Sequence, residues 1–271
     1  MIASFNRYCD TLAQRFLAVK PTKPTQWQAL DVSHLSHMAP RPLWHESFEY
    51  AIPSTPTELA LETEANLPWA EDHFQERVCG LPLNPPPSEQ WWPYAQEGNK
   101  QAKMGRVFSH TDPERFWPKE ANPWDLRGKH DREMWGIRFK YGDLDDVVTQ
   151  LTKDPQTRQA YLPIFFPEDT GAVHGERVPC TLGYQFNYIG DKLHITYFIR
   201  SCDFMRHFRD DVYMAGRLAH YIRDNVGVQI SGIVLTMHIV NFHVFEGDVP
   251  QLKNLVKDMG YRESVRIAGL L

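Results

Sequence analysis

The sequence predicts a mixed α/β or α+β fold, and three stretches carry that prediction. Apolar residues alternate at a spacing of two over 192–199, recur on one helical face over 211–224, and form a β-branched run over 230–245. No internal repeat is present. With 42% hydrophobic, 23% charged and 13% aromatic residues in a chain of 271, most of the sequence can bury a core. At roughly 150 residues per domain the length allows one large unit or two small ones, and one unit over 1–271 is the simpler expectation.

Taken in order, the part before residue 130 holds most of the prolines and tryptophans and is expected to be irregular. Pro82, Pro85, Pro86 and Pro87, followed by Trp91, Trp92 and Pro93, cannot lie inside a helix or a central strand, because proline lacks a donor and fixes φ. Tryptophans are costly to leave in water, so this stretch is expected to be an ordered loop or pocket wall. Leu144, Val147, Val148 and Leu151, with Asp145 near the start and Asp154-Pro155 as breaker, predict a short amphipathic helix. An apolar run follows at 160–166. Segments 178–188 and 192–199, joined by Gly190-Asp191, predict a hairpin. Val212, Ala215, Leu218, Ala219 and Ile222 predict a core helix over 211–224 that stops at Asn225 and Gly227. A second helix is expected over 249–259.

The formal charge of -5, from 29 basic and 34 acidic residues, lacks the positive field for sequence-independent binding to nucleic acid. No apolar run approaches the roughly 20 residues that span a bilayer, and Met1 to Arg7 has no leader pattern, so a cytoplasmic protein is expected. Cys9, Cys79, Cys180 and Cys202 are too scattered for a disulfide framework, and His207, His238 and His243 fit no common metal spacing.

Cys180 lies between Pro179 and Thr181 in a predicted strand, downstream of Arg177; a lone cysteine there is ordinarily a small buried hydrophobe. The hairpin's second arm, however, ends in Arg200, Ser201, Cys202 and Asp203. Arginine and serine are natural phosphate ligands, and an arginine near a thiol stabilises the thiolate that attacks carbon.

Four motifs in order give the chain a family resemblance. Asp154-Pro155 with Thr157-Arg158, Val178-Pro179-Cys180 with Gln185-Phe186, Arg200-Ser201-Cys202-Asp203, and His243-Val244-Phe245 resemble the signature segments of thymidylate synthases and pyrimidine-nucleotide hydroxymethylases. The resemblance runs from about Asp143 to Asn254. It implies a mixed sheet flanked by helices, sheets packed back to back in a homodimer, a divergent pocket wall over 1–130 and a nucleophile and nucleotide core over 131–271. It further implies that Cys180 adds to C6 of a pyrimidine nucleoside monophosphate, and that C5 then takes a one-carbon unit from 5,10-methylenetetrahydrofolate, with tetrahydrofolate as the folate partner.

By position, the resemblance assigns phosphate to Arg200 and Ser201, with Arg158 reaching across the dimer. Gln185, Asp203, His243 and Phe245 fall to the nucleotide, the proton-moving carboxylate to Glu71, and folate contact to Trp91 and Trp92. A solvated charge at a helix start is the alternative for Glu71, and a helix-end charge for Arg158. Gln159 replaces the family's second arginine, its N-terminal arginine loop is not recognisable among Arg7 and Arg15, Thr181 replaces a histidine, and Phe245 replaces a tyrosine. Asp211 stands where thymidylate synthases carry the asparagine that reads uracil, as in the deoxycytidylate hydroxymethylases of phages; for Asp210 or Asp211 a helix N-cap is the alternative. Cytosine offers an acceptor at N3 and an amino donor at C4, which suits a carboxylate better than uracil does. The stretch from Gly260 to Leu271 lacks the family's closing tail motif, so 5-hydroxymethylation of dCMP is the leading expectation. Methylation of dCMP, hydroxymethylation of CMP, dUMP methylation and an inactive nucleotide-binding homologue follow it.

Overall fold

The computed structural model describes residues 5–24, 26–27, 30–94, 108, 110–121, 142–171 and 178–267; Arg177 and residues 268–271 lie outside them. Helix α1 (Phe5–Ala18) buries Phe5, Cys9, Leu12, Ala13 and Phe16, an apolar stripe on one face. β1 (Gln26–Trp27) and β2 (Leu30–Asp31) form a two-stranded ribbon, and β3 (Pro40–Ile52) is a 13-residue strand. α2 (Pro56–Thr63) opens on a capping box between Thr55 and Glu58. α3 (Trp69–Val78) leads to a single 3-10 turn at Pro87–Trp91, and α4 (Asp112–Phe116) repeats the capping box with Thr111 and Glu114.

These elements correct the expectation of an irregular N-terminal half. Prolines cluster between elements or at their first positions, where a missing N–H costs nothing. Pro40 and Pro42 are tolerated in β3 because it is an edge strand.

The remaining elements are α5 (Leu144–Lys153), β4 (Tyr161–Pro163), β5 (Thr181–Ile189), β6 (Lys192–Asp203), α6 (Phe208–Asn225), β7 (Gly232–Phe245) and α7 (Val249–Ile267). The cap of α5 is Asp143, ahead of the predicted Asp145. The run at 160–166 pairs only through Pro163, after which Ile164 and Phe165 both donate to the carbonyl of Leu182.

Five strands form one mixed sheet in the order β3-β7-β6-β5-β4. β6 and β7 are parallel, the other pairs antiparallel, and α6 is the crossover between β6 and β7. The hairpin β5–β6 turns through Gly190 (φ 64) and Asp191 as its sequence predicts. Val212, Ala215, Leu218, Ala219 and Ile222 of α6 are all buried. Gly216 lets α2 approach, since a Cβ there would lie 2.6 Å from Leu59 Cδ2.

One level of the sheet is irregular in three neighbouring strands. His45 (φ 57), Val240 and Arg200 miss their rungs while the register on either side is unchanged. Core-facing positions on β7 thereby switch from Ile233, Leu235, Met237 and Ile239 to Phe242 and Val244. This change of phase re-aims the ends of β6 and β7, and those ends carry the sequence motifs.

Candidate active site

Cys180 is exposed at the entry to β5. Arg200 holds the chain leading to it: Nε donates to the carbonyl of Pro179 at 2.8 Å, one Nη to that of Val178 at 2.9 Å, and its backbone N–H to the carbonyl of Cys180 at 2.9 Å. The Arg-Ser-x-Asp motif thus positions the segment that carries Cys180. Thr181, next in sequence, is tied at 2.9 Å to the hydroxyl of Tyr197, which stacks on Tyr184 with centroids 4.6 Å apart.

Cys202 is 2% exposed, and its Sγ lies 3.5 Å from Oδ2 of Asp211. Burial, then the charges of Asp211 and Asp203, push the Cys202 thiol well above its ordinary range, and Cys180 also acts on it. Cys180, through the backbone of Arg200, and Asp211, through Cys202, are thus tied to one short segment of β6. Burial pushes Asp211 up to about 7 against the opposing charge of Arg77. The helix-cap alternative is overturned: α6 starts at Phe208 with His207 at the cap position, Asp211 lies inside the first turn, and Asp210 accepts two bonds from Asn66 at 2.8 Å each.

Asp203 closes the turn into α6, accepting from the backbone of Met205 (2.9 Å) and Arg206 (3.2 Å) and from the Arg206 side chain (2.7 Å), which also reaches Asp248 at 2.8 Å. Ser201 and Asp203 pair with Asn241 and His243 across β6 and β7. Nδ1 of His243 and Oδ1 of Asn241 are buried without partners among the described residues, and burial holds the imidazole below its ordinary pKa. Phe245 packs edge-on against His243 at 4.9 Å. Two polar atoms awaiting partners beside Ser201 suit a ligand hydroxyl or amide edge.

Trp91 and Trp92 part company. Trp91 is 45% exposed and donates to Asp72 at 3.2 Å, whereas Trp92 stacks on His207 at 5.3 Å and lies 6.2 Å from Trp69 and 6.1 Å from Tyr94. The indole N–H groups of Trp69 and Trp92 are buried without partners among the described residues. Gln185 donates to the carbonyl of Arg158 at 3.4 Å, and the Arg158 side chain is exposed beyond the sheet edge.

Glu71 is held by Arg217 through two bonds of 2.8 Å, by the Tyr213 hydroxyl at 2.7 Å and by Gln75 at 2.7 Å. Burial works against its charge, and these bonds outweigh burial and lower its pKa. At about 100° per residue, His73 and Arg77 sit about 200° and 240° around α3 from Glu71, on the other flank. The same spacing separates Tyr213 and Arg217 from Asp211 on α6. The charges on the Asp211 flank are Arg77 and Asp112, 2.5 Å apart, with His73 beside them. Sequence reasoning missed this group; its one trace is the i, i+4 spacing of His73 and Arg77.

Among the described residues no helix is long and apolar enough to cross a membrane. The sequence profile of the thymidylate synthase family matches residues 86–267, well over half of the chain. Similar proteins include one from Methanosarcina barkeri described as "Putative thymidylate synthase", 29% identical over 136 residues, which are 50% of this chain and 61% of that protein. Another with that description, from Methanosarcina mazei, is 29% identical over 124 residues, or 45% of this chain and 55% of that protein. A third, from Methanococcoides burtonii, is 28% identical over 136 residues, again 50% and 61%. The chain thus spans a little over half the length of these relatives. With the profile covering Cys180 and β5, the Arg-Ser-x-Asp turn and the His-x-Phe end of β7, the chain belongs to the thymidylate synthase family.

Proposed function

We propose that the protein transfers a folate-borne one-carbon unit to C5 of a cytosine nucleotide, with 5-hydroxymethyl-dCMP as the product. The observation that carries the base assignment is Asp211. A carboxyl pushed up to about 7 exists in both protonation states near neutral pH. The protonated group donates to N3 of cytosine through its O–H and accepts from the C4 amino group through its other oxygen. In the ionised state Asp211 accepts from the C4 amino group of cytosine, whereas in uracil it would meet the O4 acceptor at the same place, oxygen against oxygen.

In this reading the Cys180 thiolate adds to C6, which breaks the conjugation of the ring and makes C5 nucleophilic. Arg200 keeps the strand rigid, and its charge, with Ser201 and Arg158, faces the phosphate. His243 and Asn241 take the sugar edge, where Phe245 offers a ring face and no hydroxyl. The aromatic wall of Trp92, Trp69, His207 and Tyr94, with two indole N–H groups lacking acceptors among the described residues, fits a flat heteroaromatic ring rich in acceptors. Trp91 is a rim contact at most. Methylenetetrahydrofolate, when bound, supplies the one-carbon unit at the oxidation level of formaldehyde. Access of water decides between hydroxymethyl and methyl products, and the exposure of Cys180 supports access.

The test is incubation with methylenetetrahydrofolate and, separately, dCMP, CMP, dUMP and UMP, with products identified by mass. Addition of CH2O to dCMP is expected; addition of CH2 to dUMP alone would replace this reading with a thymidylate synthase.

A further inference from the structure

Helix α3 holds the 3-10 turn at Pro87–Trp91 at both of its ends. Near the start, the carboxylate of Glu76 accepts from the backbone N–H of Ser88 at 2.7 Å and from its hydroxyl. At the end, Asp72, one helical turn earlier on α3, accepts from the Trp91 indole at 3.2 Å. Ser88 is fully buried, and its Oγ also lies 2.8 Å from Nδ1 of His73.

The hydrogens of this cluster have one arrangement. A serine hydroxyl carries a single hydrogen, and Glu76 takes it. The hydrogen between Oγ and the imidazole therefore belongs to Nδ1 of His73, which donates to the serine oxygen. Burial works against the charge of Glu76, and its bonds to His73 and Ser88 outweigh burial, so the accepting carboxylate is the form held. With Nδ1–H directed at Ser88 the plane of the His73 ring is fixed, and Trp69 lies nearly parallel to it, at 14° and 5.0 Å between centroids.

Two routes thus lead from one hydroxyl to two indoles. Through His73 it sets the plane of Trp69; through the backbone of the turn it sets Trp92, the residue that closes that turn. The two indoles lie 6.2 Å apart, Trp92 stacks on His207 at 5.3 Å, and the N–H of each indole is buried without a partner among the described residues. Buried donors of this kind are served by a ligand's acceptors only at a fixed separation. A hydrogen-bonded network in a low-dielectric interior fixes such a geometry when its members are satisfied, as the Glu76 carboxylate, the Ser88 hydroxyl and Nδ1 of His73 are. We propose that Ser88, clamped by Glu76 and His73, is a positioning residue that sets Trp92 against Trp69 and so the affinity of this aromatic wall for the folate ring. The consequence for folate rests on the reading of the wall given above; the clamp does not.

The test is calorimetric binding of tetrahydrofolate to the full chain with dCMP present, and of dCMP alone beside it. Ser88→Ala removes the hydroxyl from both of its partners with little change in volume. It should weaken tetrahydrofolate by about tenfold, the scale of one or two buried hydrogen bonds, and leave the Kd for dCMP within about twofold of wild type. Glu76→Gln still accepts from the backbone N–H of Ser88 and should lose less. Trp92→Leu tests the wall itself: tetrahydrofolate that fails to bind the wild type, or that binds Trp92→Leu as tightly, refutes the wall and the proposal with it. Weakened binding in Trp92→Leu beside unchanged binding in Ser88→Ala overturns the clamp alone. So does a Ser88→Ala protein that weakens both ligands equally, or one that melts lower with neither Kd changed, as a merely structural bond would give. If Ser88→Ala does not fold, Glu76→Gln decides, with selective weakening of tetrahydrofolate for the clamp and an unchanged Kd against it.

Discussion

The Sγ–H of Cys202 points to Oδ2 of Asp211 across 3.5 Å, so the thiol inside the Arg-Ser-x-Asp motif is committed to a carboxylate. Burial keeps that thiol protonated. Two cysteines near one site are in this way given different chemistry, Cys202 inert and Cys180 exposed at a strand entry.

Cys180→Ala should lower turnover by about 10⁴-fold or more, the scale on which losing a covalent nucleophile is felt. Its circular dichroism and melting should stay near wild type, since the side chain is exposed. Cys202→Ser keeps a donor to Asp211 and should retain activity within about tenfold. Product yield by mass spectrometry checks both, and an active Cys180→Ala protein would end the covalent scheme.

Asp211 also predicts a pH dependence of stability that needs no substrate. Its folded pKa, about 7, lies above the ordinary carboxylate value, so the folded state holds this proton more tightly than the unfolded chain. The associated stability is complete below about pH 4 and is lost as pH rises toward 7. Relative to Asp211→Asn, the wild type should therefore lose stability across that window, on the order of 1.4 kcal/mol per pH unit at most. Urea denaturation of both proteins at pH 4.5, 6 and 8 measures the difference, and parallel curves would show that Asp211 titrates normally.

The sequence displays this site unevenly. Cys180, Arg200, Ser201, Asp203, His243 and Phe245 sit on strand ends, where motif and geometry are both local, and the β5–β6 hairpin and the apolar face of α6 follow from short-range periodicity. The Arg77–Asp112 pair joins two helices through residues 35 positions apart in sequence, so only tertiary packing forms it. β3 was hidden because Pro40 and Pro42 argue against a strand until β7 makes them an edge. The orientation of Glu71 turns on which flank of α3 meets α6, which no spacing within α3 reveals.

Glu71→Gln tests that orientation. Replacing a half-buried carboxylate that binds Arg217 and Tyr213 should cost about 1–3 kcal/mol of stability, between the exposed and buried limits for ion pairs. Turnover should stay within about tenfold, because the geometry favours a tether between α3 and α6. Thermal melts and kcat at saturating substrate separate the two effects; an intact melt with kcat down by about 10³-fold would return Glu71 to proton transfer.

The sheet face opposite α6 carries Trp44 at 57% and Val240 at 41% exposure and a stack of Phe198 on His238 at 5.4 Å. Exposed apolar surface on a sheet face favours an isologous contact with a second copy. Sedimentation should give a dimer, and Arg158→Ala should raise KM for the nucleotide with kcat little changed, as expected for lost phosphate binding. A monomer active at assay concentration would take Arg158 out of the site.

Asp211→Asn converts the carboxyl into a group with one acceptor and one donor of nearly the same shape, so only the hydrogen-bonding pattern presented to the base changes. Asp211 is not a helix cap, so a change in specificity cannot be a side effect of an unravelled α6. An amide presents a donor to O4 of uracil at every pH, whereas an ionised carboxylate presents none there. The kcat/KM for dCMP should fall by the about 1–3 kcal/mol that a mismatched buried group costs, and dUMP should gain relative to it. The decisive quantity is the dCMP-to-dUMP ratio in one competition assay, because it cancels losses common to both substrates. A ratio that stays within about twofold of wild type would mean that Asp211 does not read the base, and would transfer attention to Oδ1 of Asn241 and Nδ1 of His243 on β7, both without a partner among the described residues.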